Sequence, residues 1–301
     1  FNLFRNKMKK LALGTAQFGM SYGIANQHGK IKLENIKDII KIAREKNIDL
    51  VDTAIAYGDS ERIIGKIGIL DFKFVTKLPP LPKIDVVNIS FWVEDQIKLS
   101  LKRLGIQSLY GLLIHRSEDL LGDKGEKIVN ALNNLKARGL VKKIGISIYD
   151  LSELEKLTNQ IKVDIVQAPL NIIDQRLINS GWLSKLYKAD VEVHIRSVFL
   201  QGLLLMSKQN RPHKFNRWKN LWKIWHEWLN DNQITALEAT IRYALSVENI
   251  SKVIVGVDSK KQLQQIILAS DGKLPPIPPG LFMDDINLLN PSNWNKIQKY
   301  M

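Results

Sequence analysis

The sequence contains no cysteine, which excludes disulfide bonds, thiolate metal sites, iron–sulfur clusters and cysteine nucleophiles together. No apolar run reaches the ~18 residues of a membrane-spanning helix, and residues 1–10 lack the apolar stretch of a secretory signal. We therefore expect a cytoplasmic protein with no membrane partner. Met8 resembles a natural start, so residues 1–7 are treated as an upstream extension and left out of the fold argument.

Acidic residues are few relative to basic ones, with 30 Asp and Glu against 44 Lys and Arg, a formal net charge of +14. A surplus of this size is compatible with nucleic acid, with a membrane surface or with a phosphate-bearing small molecule, so charge alone does not choose among them. The 45% hydrophobic and 25% charged composition is typical of globular proteins, which excludes a fibrous repeat and wholesale disorder.

Short apolar, β-branched runs alternate with segments of helical periodicity along the chain. The predicted strands cover residues 11–15, 48–52, 72–77, 109–115, 143–147, 164–167, 192–197 and 252–257. The predicted helices cover residues 33–46, 60–66, 89–104, 125–138, 150–157, 175–188, 235–246 and 260–269. Apolar strands joined by helices run parallel, because each crossover returns the chain to the same edge.

Eight strand–helix units predict an α/β fold closed into a parallel eight-stranded (β/α)8 TIM barrel over residues 11–270. A doubly wound open sheet is the alternative, but the first strand is followed by a turn without the glycine spacing of the dinucleotide fingerprint. We expect a single domain over residues 1–301, with residues 271–301 forming an irregular tail over or near the barrel mouth. In such a barrel, functional residues lie at the carboxyl ends of the strands.

Titratable residues of four types end or follow three consecutive predicted strands: Asp52, Tyr57, Lys77 and His115. One such residue is more often structural, but four at neighbouring strand ends favour a catalytic site. Asp52 can pair with a buried Lys77, and a cation beside the Tyr57 hydroxyl would lower its pKa from ~10. His115 can hydrogen-bond the substrate's carbonyl oxygen. The four residues could then protonate that oxygen as hydride reaches the carbonyl carbon.

Segments 14–19, 52–54 and 57–61, followed by Lys77 and His115, resemble the signature of the aldo-keto reductase family in order and spacing. The resemblance spans roughly residues 11–269. It implies a (β/α)8-barrel oxidoreductase that binds NADPH across the carboxyl-end rim, acts on a small-molecule carbonyl substrate and uses no metal. In that family Tyr57 would be the acid, Asp52 and Lys77 would tune it, and His115 would orient the carbonyl.

The same resemblance implies cofactor contacts along the whole chain. They are Gly14, Thr15, Ala16, Ser147, Gln167, Arg196, Ser197, Phe199, Gln201, Gly256, Ser259, Gln262 and Gln265. Ser147 and Gln167 would hold the nicotinamide carboxamide. The pyrophosphate would be faced by Ser197, Phe199 and Gln201. Two residues depart from the family pattern here: Ile148 stands where many members have Asn, and Arg196 where many have an aromatic residue. A guanidinium can stack on a ring, but it also brings charge.

The end of the eighth predicted strand resembles the adenosine side of the cofactor site. Ser259, Lys260 and Lys261 at a helix N-terminus suit the 2′-phosphate of NADPH, through free N–H groups, the helix dipole and charge. NADPH is therefore expected to be preferred. NADH stays open, because Gln265 and Ile266 replace the usual Glu-Asn pair, and an ordinary solvated helix start is the alternative interpretation.

A basic segment over residues 207–229 holds four of the seven tryptophans. Trp218, Trp222 and Trp225 lie at helical spacing on one face, which favours core packing over a platform for single-stranded nucleic acid. A third interpretation is that the segment packs on the barrel and places Lys208 or Arg211 over cofactor phosphates or an anionic substrate.

Three functional hypotheses follow. The first is an NADPH-dependent carbonyl reductase, and the resemblance of residues 11–24 to bacterial members with surface-polysaccharide functions indicates a sugar-derived substrate, phosphorylated sugars included. The alternative is a cofactor-sensing regulatory or binding subunit with little turnover, with which Ile148, Arg196 and Ile266 are compatible. Specific nucleic-acid binding through the basic surface is the least favoured. The sequence leaves the physiological substrate, the stereochemistry, the reaction direction and the oligomeric state open.

Overall fold

The computed structural model of the protein describes residues 7–24, 29–82, 88–157 and 161–297. Eight strands form one closed parallel barrel in chain order, with the last strand paired to the first. This confirms the predicted (β/α)8 barrel. The strands are β1 (Leu11–Gly14), β2 (Leu50–Asp52), β3 (Lys73–Leu78), β4 (Leu109–Ile114), β5 (Val141–Ser147), β6 (Ile165–Pro169), β7 (Glu192–Arg196) and β8 (Lys252–Gly256).

Helices follow the strands around the barrel. They are α1 (Ala16–Gly19), α2 (Leu33–Glu45), α3 (Ser60–Ile67), α4 (Ile89–Leu104), α5 (Gly125–Ala137), α6 (Ser152–Leu157), α7 (Arg176–Asn179), α8 (Trp182–Lys188), α9 (Lys219–Asp231), α10 (Ala236–Ser246), α11 (Lys260–Ala269) and α12 (Ile286–Leu289). The single helix predicted over 175–188 is two helices, because Gly181 adopts a left-handed conformation (φ 79°) between them. Over the described ranges, no helix has both the length and the apolar character needed to cross a bilayer.

The helices pack on the barrel through apolar faces. In α2, Ile36, Ile39, Ile40 and Ala43 are buried and recur at the three- and four-residue spacing of one helix face. The helix α10 begins with a capping box, in which Thr235 and Glu238 each bond the other's backbone N–H. Amphipathic faces and caps of this kind hold the outer ring of helices against the strands.

The interior of the barrel contains its own small apolar cluster, to which six strands contribute. Its members are Ala12, Leu50, Val75, Leu113, Ile165 and Ile254. Because successive side chains on a strand alternate between faces, the residues two positions further along also face the interior. Those residues include Asp52, Lys77, His115 and Gln167. The alternation therefore sets four polar side chains above an apolar floor at the carboxyl end of the barrel.

The C-terminal segment after α11 packs beside the barrel rim. Its described part contains α12 and two short 3-10 helices, Pro279–Leu281 and Pro291–Lys296. The Met283 N–H donates to the carbonyl of Ile173 in the loop after β6 (2.9 Å), and the Trp228 indole donates to the Pro276 carbonyl (2.9 Å). The segment thus covers the side of α9 and the β6 loop.

The tryptophan segment is part of the core. Trp225 is fully buried, and its indole N–H donates to the Leu204 carbonyl (3.3 Å). The Trp222 indole donates to the Phe215 carbonyl (2.9 Å). Rings buried in this way cannot stack on bases, so the packing interpretation is confirmed for these tryptophans.

Candidate active site

A cavity of about 370 Å³ opens at the carboxyl ends of the strands. Predicted cofactor residues that line it are Gly14, Thr15, Ala16, Gln167, Arg196, Ser197, Phe199, Gln201, Gly256, Gln262 and Gln265, and the predicted catalytic residues Asp52 and Tyr57 line it as well. Segments far apart in sequence thus meet around one space. No described residue of the C-terminal segment contributes to its lining.

The base of the site is a buried ion pair. The Lys77 ammonium donates to Asp52 Oδ1 (2.6 Å) and to the Thr53 carbonyl (2.9 Å), and the two charged side chains are 1% and 5% exposed. The Gln167 amide donates to Asp52 Oδ2 (2.8 Å). Both carboxylate oxygens are therefore occupied, which compensates for removing the charges from water. The predicted Asp52–Lys77 pairing is confirmed.

Gln167 has a partner within the protein. The resemblance assigns it to the nicotinamide carboxamide, and one of its side-chain N–H groups donates to Asp52; the side chain is buried. Gln167 also lines the cavity, so its carbonyl oxygen and second N–H are the groups left for a ligand. Ser147 is paired in register with Gln167 and is buried, but it does not line the cavity.

Tyr57 and His115 lie side by side at the rim. Their ring centroids are 6.0 Å apart with the planes at 84°, an edge-to-face arrangement. The Lys77 ammonium lies 5.1 Å from the centre of the Tyr57 ring. The structure thus brings the four predicted catalytic residues into one group.

The predicted lowering of the Tyr57 pKa is wrong. Burial raises the pKa of the Tyr57 hydroxyl, and the negative charge of Asp52 raises it further, while Arg196 opposes the shift. The physical reason is that burial penalises the charged phenolate, and the nearby Asp52 carboxylate repels it. Tyr57 consequently keeps its proton throughout the physiological pH range.

His115 is neutral for a related reason. Burial lowers the pKa of its imidazole to about 4, and the positive charges of Lys77 and Arg196 lower it further. Its Nδ1 atom is buried without a hydrogen-bond partner among the described residues. A neutral imidazole at this place can donate or accept a hydrogen bond without adding charge to the site.

Two glycines hold the Tyr57 loop in place. Gly58 has a left-handed backbone (φ 54°), and a Cβ there would lie 2.6 Å from the Gly19 carbonyl oxygen. A Cβ on Gly19 would lie 1.8 Å from the Tyr57 carbonyl oxygen. The backbones of the two loops therefore touch, and only glycine permits this contact.

The polar residues after Gly58 are structural. The Ser60 hydroxyl donates to the Thr15 hydroxyl (2.9 Å) and lies 3.1 Å from that of Thr53. The Glu61 carboxylate accepts from the Thr76 hydroxyl and from the Arg103 guanidinium, each at 2.7 Å, and is 2% exposed. These contacts attach the start of α3 to the barrel, so this part of the family-like motif orients Tyr57 without touching the cavity.

Arg196 ends strand β7 and reaches into the cavity. Its guanidinium lies over the Tyr149 ring, 4.2 Å from the centroid. One nitrogen donates to the Ile148 carbonyl (2.8 Å) and another to the Ser197 hydroxyl (3.2 Å). The guanidinium thus stacks on an aromatic ring that this chain itself supplies.

The loop after β7 has an unusual backbone. Ser197, Leu200 and Gln201 have φ of 61°, 48° and 54°, a region that non-glycine residues rarely adopt. Ser197 and Gln201 line the cavity, and the Gln201 amide lies 3.5 Å from the Tyr22 hydroxyl. Backbone strain of this kind concentrates at functional sites.

The adenosine side predicted at β8 is only partly as expected. Gln262, Gln265 and Ile266 line the cavity, whereas Ser259 does not and instead caps α11 by accepting from the Gln262 N–H (3.3 Å). Lys260 does not line it either and pairs with Asp38 on α2 (2.8 Å). Ser259 and Lys260 therefore have partners within the protein.

Arg211 is not at the cavity. It is buried against Trp222, 4.0 Å from the ring centroid, and donates to His226 Nε2 (2.7 Å). The interpretation that Lys208 or Arg211 lies over cofactor phosphates or an anionic substrate fails for Arg211, because the tryptophan helix draws it into its own packing. Lys208 does not line the cavity. Within the described chain, no group of three or more Asp, Glu or His side chains could hold a metal ion.

Comparison with known proteins identifies the family. The sequence profile of the aldo/keto reductase family matches residues 10–276. The chain belongs to this family. The chemistry of the cavity lining fits the family's nicotinamide cofactor: two strand-end glycines, Gly14 and Gly256, leave the backbone accessible, and the amides of Gln201, Gln262 and Gln265 offer donors and acceptors for a polar dinucleotide.

Curated relatives of this aldo/keto reductase are distant. Oxidoreductase sirO of Leptosphaeria maculans is 24% identical over 218 residues, which are 69% of this chain and 65% of that protein. An aldo-keto reductase of Gibberella moniliformis is 25% identical over 189 residues, 60% of this chain and 56% of its own. The NADH-specific methylglyoxal reductase of Escherichia coli is 26% identical over 236 residues, 65% and 69% of the two chains. The chain thus spans less than two thirds of the length of the first two relatives.

Solved structures show the same fold. The holo form of aldo-keto reductase AKR11C1 from Bacillus halodurans superposes with a TM-score of 0.70 at 19% identity, covering 89% of this chain and 88% of that one. The glycerol dehydrogenase AKR11B4 from Gluconobacter oxydans gives a TM-score of 0.67 at 19% identity, with the same coverage. At such identities the similarity establishes the barrel alone.

Several lining residues were not predicted from the sequence. They are Gln17, Tyr22, Gly23, Val198, Gly202, Leu205, Leu237, Ile254 and Asp258. Tyr22 and Gly23 lie in the segment whose resemblance to other family members was noted, so a signal for them was present. Leu237 gave none, because it begins a helix whose position over the cavity depends on packing.

Proposed function

We propose that the protein reduces an aldehyde or ketone by hydride transfer from NADPH, with Tyr57 as the general acid. The observation that carries the proposal is the buried Asp52–Lys77 pair beside Tyr57 and His115. These residues lie next to a cavity whose lining includes the carboxyl ends of β1 and β8. Family membership supports the same reaction class.

Each side chain has a distinct task in this reaction. A bound nicotinamide cofactor supplies the hydride. Tyr57, un-ionised because burial raises its pKa, holds the proton that the carbonyl oxygen receives. Lys77 lies 5.1 Å from the Tyr57 ring and favours the phenolate that forms as the proton leaves. Neutral His115 orients the carbonyl oxygen by a hydrogen bond without competing as an acid.

NADPH is the cofactor we propose as preferred. Lys260 is paired with Asp38, but the two side chains are 59% and 46% exposed, and an exposed pair is worth about 0–1 kcal/mol. A doubly charged 2′-phosphate at the N-terminus of α11 can therefore compete for Lys260. One relative, the methylglyoxal reductase of Escherichia coli, is named as NADH-specific, so the affinities for NADPH and NADH should be measured side by side. We propose the cytoplasm as the location, where both dinucleotides are available.

A sugar-derived carbonyl compound is the proposed substrate. The proposal rests on the resemblance of residues 11–24 to bacterial members with surface-polysaccharide functions. Tyr22 and Gly23 of that segment line the cavity beside Tyr57, which supports a role for the segment in substrate recognition.

The decisive experiment is a reductase assay with purified protein, NADPH and a panel of aldehydes that includes 4-nitrobenzaldehyde, methylglyoxal and D-glyceraldehyde. We expect loss of reduced-nicotinamide absorbance with at least one of them, and a fall of several hundredfold or more in Tyr57→Phe. Tight NADPH binding, measured by fluorescence quenching, without oxidation above the Tyr57→Phe control would contradict the reductase proposal and support a cofactor-sensing subunit.

A further inference from the structure

Arg196 is held in a defined position at the reactive end of the cavity. Its guanidinium stacks on Tyr149 at 4.2 Å and is bonded to the Ile148 carbonyl (2.8 Å) and to the Ser197 hydroxyl (3.2 Å). Three restraints, two from the loop after β5 and one from the neighbouring residue Ser197, fix the plane of the group. A side chain held in this way loses little conformational freedom when it binds a ligand.

The charge of Arg196 is not compensated by a nearby acid. Over the described residues, no carboxylate forms an ion pair with its guanidinium. Asp52, an acid that lines the same cavity, is paired with Lys77. The acids closest to Tyr149 in sequence are also engaged. Asp150 lies 3.7 Å from the Arg176 guanidinium, and Glu153 accepts the Tyr149 backbone N–H (2.8 Å).

Arg196 also lies close to the reacting groups. Its positive charge lowers the pKa of both Tyr57 and His115, opposing burial in the first and reinforcing it in the second. Asp52 and Lys77 form an ion pair and His115 is neutral, so the positive charge beside these groups that has no ion-pair partner among the described residues is that of Arg196.

The donors of Arg196 are only partly used. A guanidinium has five N–H groups in a planar fork, and this geometry matches the two oxygens of a carboxylate or phosphate. The Ile148 and Ser197 bonds occupy part of that fork, and stacking on Tyr149 occupies one of its faces. The remaining donors and the uncompensated charge suit an anion bound beside Tyr57.

We propose that Arg196 is a specificity-determining residue that binds an anionic group, a carboxylate or a phosphate, on the carbonyl substrate. Tyr149 is the positioning residue that holds the guanidinium. This inference rests on the proposed reductase function and names the substrate class for it: an aldehyde or ketone that carries a negative charge a few bonds from its carbonyl.

Matched substrate pairs test the inference. D-glyceraldehyde 3-phosphate and D-glyceraldehyde share the same carbonyl and differ in the phosphate, and succinic semialdehyde and butanal differ in the carboxylate. For the wild-type protein with NADPH, kcat/KM should favour the charged member of at least one pair by roughly tenfold to a hundredfold, as expected for a charge-assisted hydrogen bond. Which pair responds identifies phosphate or carboxylate as the recognised group.

Three variants separate substrate recognition from a general effect of the cation. Arg196→Met should lower the ratio of charged to neutral kcat/KM at least tenfold, while Arg196→Lys should retain part of it. Tyr149→Ala should lower the ratio by freeing the guanidinium, and Tyr149→Phe, which keeps the ring, should preserve it. Equal losses for charged and neutral substrates in Arg196→Met would overturn the inference, because Arg196 would then act on the acid or the cofactor.

A binding measurement provides a readout without turnover. With the protein saturated by NADP⁺, calorimetric titration of glycerol 3-phosphate and of butyrate should show binding of at least one of them to the wild type, weakened roughly tenfold or more in Arg196→Met. Activity toward neutral aldehydes with no charge preference and no anion binding would refute the inference alone. No activity toward any aldehyde would refute the reductase proposal itself.

Discussion

Removing the ammonium of Lys77 is the sharpest perturbation of this site. In Lys77→Met, Asp52 loses the 2.6 Å ion pair and keeps only the Gln167 amide as a partner, while its side chain stays 5% exposed. Breaking a buried pair by deleting one partner costs about 3–5 kcal/mol, because the remaining charge is left uncompensated. For 301 residues, an unfolding entropy of roughly 2.1 cal/mol/K per residue converts this into a Tm lower by about 5–8 °C.

The double variant Lys77→Met/Asp52→Asn is the matched control. It removes both charges, so the free energy of unfolding should return to within about 2 kcal/mol of the wild type. Urea titration followed by tryptophan fluorescence measures all three proteins, since the tryptophans of the core report global unfolding. A double variant as unstable as Lys77→Met would refute the reasoning, because a buried unpaired carboxylate would then not be the cause.

Turnover should behave differently from stability in the same three proteins. Both variants should lose carbonyl reduction, because neither has a cation behind Tyr57, whereas NADPH affinity should change little, since Lys77 bonds Asp52 and Thr53 and not the dinucleotide's phosphates. Recovery of stability without recovery of turnover is the expected pattern. A parallel loss of NADPH affinity would show that Lys77 has a different role.

Three further changes have defined outcomes. In His115→Asn, Tm should fall less steeply between pH 6.5 and 4 than in the wild type. In the wild type, the unfolded chain takes up a proton on His115 below its ordinary pKa of ~6.5, whereas the folded imidazole, with a pKa of about 4, does not. An unchanged Tm–pH curve would contradict this. Lys260→Ala with Lys261→Ala should raise the NADPH Kd more than the NADH Kd, and equal losses by fluorescence titration would reject the 2′-phosphate assignment. Gly19→Ala should cut kcat by tenfold or more, because its Cβ would meet the Tyr57 carbonyl oxygen at 1.8 Å; wild-type kinetics would show that the loop contact is dispensable.

Much of the fold could be predicted because its signals are local. The short apolar, β-branched runs mark all eight strands, and β2, predicted over 48–52, is observed at Leu50–Asp52. The alternation of side chains along each strand carries Asp52, Lys77, His115 and Gln167 to the interior face at the strand ends. The one helix predicted over 175–188 is two helices, and the cause is again local: Gly181 has a left-handed backbone conformation between them.

The contacts that individual side chains make were harder to predict than their positions in the barrel. Lys260 pairs with Asp38, 222 residues earlier in the chain. Arg211 stacks on Trp222 and donates to His226, both in its own segment. Neither contact leaves a periodic signal in the sequence. The direction of the Tyr57 pKa shift could not be predicted for the same reason, because it depends on burial of the hydroxyl and on the nearby charge of Asp52.

The sequence by itself determined the eight strand–helix units and the chemical groups that stand at the strand ends, since both depend on residue type and on spacing along the chain. Only the tertiary structure decided how those charges are distributed. Asp52 and Lys77 form a buried ion pair, burial keeps Tyr57 protonated, and Arg196 brings a positive charge to the cavity. The physical reason is that Coulomb and desolvation energies depend on distance and burial, which arise when residues far apart in sequence are folded together.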